Sequence, residues 1–123
     1  MTVSLFIACA TNSFERLSSI DQSAGVWRSS LQWGDRVTVV TLNSVYTLIA
    51  MGNDSFIVSG GWFDRQSASP ALVKVAGCTC GGAAINQKLI AAPGLHLELG
   101  NRVVTTQIQQ VVLERFEPPA QLQ

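Results

Sequence analysis

The sequence predicts a mainly β protein, a small antiparallel β-barrel or sandwich of about 7–8 strands with one N-terminal α-helix. Three observations carry that prediction. From residue 36 onward the chain is a series of short runs rich in Val, Ile, Thr and aromatic residues, the types that suit a pleated sheet. Short turns of Gly, Asn, Asp or Pro separate most of those runs, with no regular alternation of strand and helix, which argues against a parallel α/β sheet. Finally, Leu95-His96-Leu97-Glu98-Leu99 alternates strictly between apolar and polar residues, as a half-buried strand does.

Taken in order, Val3-Ser4-Leu5-Phe6-Ile7-Ala8-Cys9-Ala10 is apolar and ends in an echo of a signal-peptidase site or lipobox. No Lys or Arg precedes it, so it reads as a buried strand rather than an export signal. Asn12 and Glu15 have the spacing of a capping box, and Phe14, Leu17, Ile20, Ala24, Trp27 and Leu31 recur at steps of three or four. A helix over about 13–24 is expected, with Gly25 and the surrounding serines limiting it.

Arg36–Leu42, Val45–Ala50 and Ser55–Ser59 read as a three-stranded meander, turning at Asn43-Ser44 and at Gly52-Asn53-Asp54. Gly60-Gly61 ends the third strand, and 62–70 reads as a longer loop with an aromatic anchor. Ala71–Ala76 is a strand, and Gly77-Cys78-Thr79-Cys80-Gly81-Gly82 is a glycine-relieved bulge or bend. Lys88–Ile90 leads into a Pro93-Gly94 turn. After Leu95–Leu99, Gly100-Asn101 makes a two-residue hairpin loop into Arg102–Thr106, and Ile108–Leu113 continues the sheet until Pro118-Pro119 stops it. The organisation expected is one domain over 1–117, with strand and helix in 1–33, the barrel core in 34–117, and a tail at 118–123.

A chain of 123 residues can bury roughly two-thirds of its unfolded surface, so it needs no disulfide or metal to fold. Its charge is unusual. Only 13% of residues are Asp, Glu, Lys or Arg, about half the ordinary share, while 47% are apolar. Either uncharged polar residues cover the outside, or a partner subunit covers apolar surface. Eight acids balance eight bases, and no basic run exists, so strong nucleic-acid binding and anionic-membrane binding are not expected. The odd number of cysteines, three, points to free buried thiols in a reducing, cytoplasmic setting. No apolar run reaches transmembrane length.

Candidate chemistry is sparse. Cys78 and Cys80 with His96, joined in principle by Cys9, are the only material for a metal or thiol site. The one-residue spacing is not the Cys-x₂₋₄-Cys of a structural zinc site, and the redox Cys-x-x-Cys is absent. The glycines match neither a Walker loop nor a dinucleotide fingerprint. Gly77-Cys78-Thr79-Cys80-Gly81 imitates a nucleophile elbow outside the strand–turn–helix setting that elbow needs. His96 and Glu98 share one strand face, but no nucleophile stands beside them. Trp27, Trp33, Trp62 and Phe63 are the better candidates, since aromatics outside regular strands anchor interfaces or line grooves, though they also plug small barrels.

The order Gly34-Asp35-Arg36-Val37, Asn43-Ser44-Val45-Tyr46, Gly60-Gly61-x-Phe63, Gly77 with Gly81-Gly82, and Val103-Val104-Thr105-Thr106 resembles a group of short bacterial proteins of unassigned function. The resemblance covers about residues 31–108 and implies a small β-domain with no assigned activity. Those proteins carry no pair matching Cys78 and Cys80, and no functional residue carries over.

The expectation is therefore a non-catalytic β-barrel that binds a protein partner or forms a homo-oligomer, with Trp33, Trp62, Phe63 and Arg65 as candidate binding residues and no cofactor. The alternatives are a metal-binding or enzymatic domain on Cys78, Cys80 and His96, and a weak binder of single-stranded nucleic acid by aromatic stacking.

Overall fold

Six strands close on themselves around one apolar interior. The computed structural model describes residues 25–80 and 84–116. Within them lie β1 (Val26–Trp27), β2 (Arg36–Thr41), β3 (Val45–Ala50), β4 (Ser55–Gly60), α1 (Gly61–Arg65), β5 (Ala71–Thr79), β6 (Ile85–Asn86), β7 (Leu89–Ala91), β8 (His96–Leu99) and β9 (Val104–Glu114). A turn of 3-10 helix, Arg28–Ser30, follows β1. The ring runs β2–β3–β4–β5–β8–β9 and back to β2, every pairing antiparallel. Of the two expected architectures, the barrel is the one formed. β1 and β7 make a separate two-stranded ladder, and β6 borders the second half of β5.

Two long strands make closure possible. The first half of β5 pairs with β4 (Ser55 opposite Lys74) and its second half with β8 (Val75 opposite Leu99). β9 likewise pairs with β8 at its start and with β2 beyond Thr41 opposite Ile108. The register shifts at Val75/Gly77, at His96/Glu98 and at Val40/Thr41. Such bulges bend a strand and raise its twist, which lets a small sheet curl shut. Gly77 sits at the first with φ +141°, and a Cβ there would run into the Asn86 carbonyl. The bulge expected in this segment is thus present.

Alternation fills the interior. Val37 and Val39 of β2, Tyr46 and Leu48 of β3, Phe56 and Val58 of β4, Leu97 and Leu99 of β8, and Ile108 of β9 are all buried. Each such apolar side chain contributes about 1.5–3 kcal/mol against leaving it in water. The β2–β3 and β3–β4 turns form where expected, the latter with Gly52, Asn53 and Asp54 all at positive φ. After β8 the expected two-residue loop is wider. Leu99 N–H donates to Val103 O at 2.9 Å, and Arg102 takes the positive φ.

Two expectations on helices fare differently. The N-terminal strand and the helix over 13–24 lie outside the described residues. The loop expected over 62–70 begins instead as α1. Five residues cannot sustain a helix alone. Here Gly60 turns the chain at φ 95° and ψ 178°, the Asp64 side chain accepts the Gly60 N–H at 3.2 Å, and Phe63 is buried beneath it. The chain then reaches β5 through a cis Ser69–Pro70 bond.

Candidate functional site

Among the described residues Cys78, Cys80 and His96 do not form a common metal site, and Cys9 lies outside them. Cys78 pairs across with Leu97 and shares its buried face, while His96 is the next residue along and half-exposed. The Cys78 thiol is fully buried and donates to Ile90 O at 3.2 Å. Burial pushes its pKa up to about 12, against smaller opposing effects of the Ala92 backbone and the Arg28 charge. A thiol held protonated is neither nucleophile nor metal ligand. Cys80 is disulfide-bonded, its partner lying outside the described residues. That corrects the expectation that the cysteines are free, and it removes Cys80 as a ligand. His96 Nδ1 is 2.9 Å from Thr105 O. Among the described residues no group of three His, Cys, Asp or Glu side chains could hold a metal ion.

The aromatic candidates divide between two ends of the barrel. Phe63 is 1% exposed and packs edge-on against Tyr46, at 6.5 Å between ring centroids, and against Trp62, at 5.1 Å. It fills the barrel end, the plug position open to such an aromatic. Trp62 is half-buried over it, its backbone N–H donating to the Tyr46 hydroxyl at 3.1 Å. Arg65 projects from the last turn of α1 to the Ser44 hydroxyl at 3.1 Å. These two line a shallow depression of about 90 Å³ with Asn43, Val103 and Val104. Trp33 stands beside the start of β2, 59% exposed, edge-on to Phe116 at 5.5 Å.

Beside Trp33 the chain is clamped. Asp35 is buried, and its carboxylate accepts the amide hydrogens of Gln32 at 2.9 Å and Phe116 at 3.0 Å and an Arg115 guanidinium N–H at 2.6 Å. Both oxygens accept hydrogen bonds from within the chain, so this carboxylate ties the entry to β2 to the exit from β9.

The strand register reveals a feature that single runs of sequence hide. On the outside of the sheet, one row across the strands reads Glu114, Arg36, Ile49, Ile57 and Leu72. The next reads Val112, Thr38, Thr47 and Ser59, and the third Gln110, Val40 and Val45. The charged groups in these rows, Arg36 and Glu114, are bonded to each other at 2.9 Å on the margin. Leu72, Val45 and Val112 are exposed at 66%, 50% and 39%, and Leu42, in the β2–β3 turn, at 64%. Low overall charge suggested such a face. Its location follows only once the register is known.

No helix among the described residues is long and apolar enough to cross a membrane. No family model matches the chain, and neither the curated proteins nor the solved structures offer a match.

Proposed function

We propose that this chain is a non-catalytic assembly module whose uncharged outer sheet face meets a second copy of itself. The chain forms a small closed β-barrel whose described residues assemble no obvious metal-binding or catalytic group. The single observation that carries the binding role is the three-row face, reduced to Val, Ile, Leu, Thr, Ser and Gln around one marginal ion pair.

A face with no net charge offers nothing to steer a strongly charged partner, whereas two like copies lose little on desolvating it. The chain's net charge of zero adds no repulsion between copies. A two-fold arrangement, in which the same patch serves both sides, is the commonest way such a face is covered. Trp62 and Arg65 then sit at the rim, where Trp and Arg are enriched in interfaces. The single-strand reading has less support, because Trp33 and Trp62 stand at opposite ends and Arg36 is paired. The test is the mass in solution. Chromatography with light scattering should return more than one chain for the natural protein and one chain for Thr47→Lys, which sets an ammonium in the middle row.

A further inference from the structure

A second, concave surface borders the uncharged face, beginning at Lys74, one outward position beyond Leu72 on β5. It is an open groove of about 910 Å³, bounded by β1 and its 3-10 turn, by β5, by the β6–β7 turn and by the β3–β4 turn. Volumes of roughly 300–1,000 Å³ are those of small-molecule sites. Its lining is mainly apolar, with Trp27 and Ala76 half-exposed to it, while Val75 is buried in the core and meets it through its carbonyl. The chain has only two lysines, Lys74 and Lys88, and both line this groove together with Arg28.

The walls are tied together before any ligand arrives. The Arg28 guanidinium spans the base, with Nε donating to Gln87 O at 2.8 Å, Nη2 to Val75 O at 2.8 Å, and Nη1 to Asp54 at 3.4 Å. Asp54, the one acid of the lining, is thereby paired. The lysines are anchored by their backbones. Lys88 O accepts Arg28 N–H at 2.7 Å, and Lys74 O accepts Gly100 N–H at 2.6 Å. Their ammonium groups have no hydrogen-bond or ion-pair partner among the described residues. The result is an apolar lining beside two cations that are unpaired among the described residues.

We infer that this groove binds an amphipathic organic anion, with a flat apolar body on Trp27 and Ala76 and an acidic head between Lys74 and Lys88. Burial of the body supplies affinity, and the lysines select the charge. A planar aromatic body suits Trp27, whose ring offers a stacking face.

The test compares two fluorescent probes of one skeleton. 1-Anilinonaphthalene-8-sulfonate carries the acidic head, and N-phenyl-1-naphthylamine lacks it. The folded natural chain should bind one sulfonate molecule saturably, about tenfold tighter than the neutral probe, with an affinity that falls as salt is added. Lys74→Gln/Lys88→Gln should abolish that preference while leaving neutral-probe binding and the thermal midpoint unchanged. Ala76→Glu, which places an acid in the lining, should weaken the sulfonate more than the neutral probe. Equal affinity for the two probes, no saturable binding, or an unchanged preference in the double lysine variant would each overturn the inference.

Discussion

The Arg115 guanidinium reaches the buried Asp35 carboxylate at 2.6 Å, joining residues eighty positions apart in sequence. The pair closes the barrel at the entry to β2 and the exit from β9. Burial alone would raise the carboxyl's pKa. The Gln32 and Phe116 amides and Arg115 outweigh it and hold the group below its ordinary 3.8. The folded chain therefore releases this proton more readily than the unfolded chain. The clamp's stabilisation is complete above about pH 5 and is lost as the pH falls through the folded value. Urea unfolding from pH 7 to 2 should show stability dropping below about pH 4, and Asp35→Asn should flatten that drop. Arg115→Gln should cost about 1–2 kcal/mol at pH 7, because the guanidinium is half-exposed and partly screened by solvent.

Cys78 should be inert. With its thiol buried against Ile90 O and its pKa near 12, an alkylating reagent at pH 8 should leave it unlabelled in the native chain and label it on denaturation. Intact-mass measurement of the alkylated protein checks this. Rapid native labelling at Cys78 would contradict the burial assigned to it.

Gly60 carries the turn from β4 into α1 in a backbone region open essentially to glycine alone. A Cβ there would also collide with the Val45 carbonyl. Gly60→Ala should lose about 2–4 kcal/mol in denaturant unfolding, well beyond an ordinary surface change. Gly52, also at positive φ, meets nothing within 4 Å. Gly52→Ala should cost only about 1 kcal/mol, since strain without collision remains.

What the sequence disclosed follows from how local each signal is. Strict alternation at Leu95–Leu99, the β-branched runs and the Gly52-Asn53-Asp54 turn are short-range, and each element appears where those residues put it. The Gly77 bulge was legible because a glycine beside a strand run has few other uses. α1 was not, because its stability comes from Phe63 entering a barrel that local sequence does not describe. Nor does local sequence place Phe63, because an aromatic after two glycines reads alike whether it plugs a barrel or meets a partner. The groove is not legible in the sequence, because Lys74 and Lys88 look like isolated surface charges until β5 and the β6–β7 turn bring them to one place.

The outer face should tolerate one kind of change and not another. Thr47→Val keeps the middle row uncharged and should leave both fold and association intact. Thr47→Lys should abolish association while shifting thermal stability of the isolated barrel by no more than about 0.5 kcal/mol, as surface changes usually do. Circular dichroism melts read alongside light scattering separate loss of fold from loss of contact.

Sedimentation velocity of the natural chain over a hundredfold range of concentration tests the central claim most directly. The account predicts a concentration-dependent rise above the 13.2 kDa of one chain, absent in Thr47→Lys. A single 13.2 kDa species at every concentration, in both proteins, would contradict it.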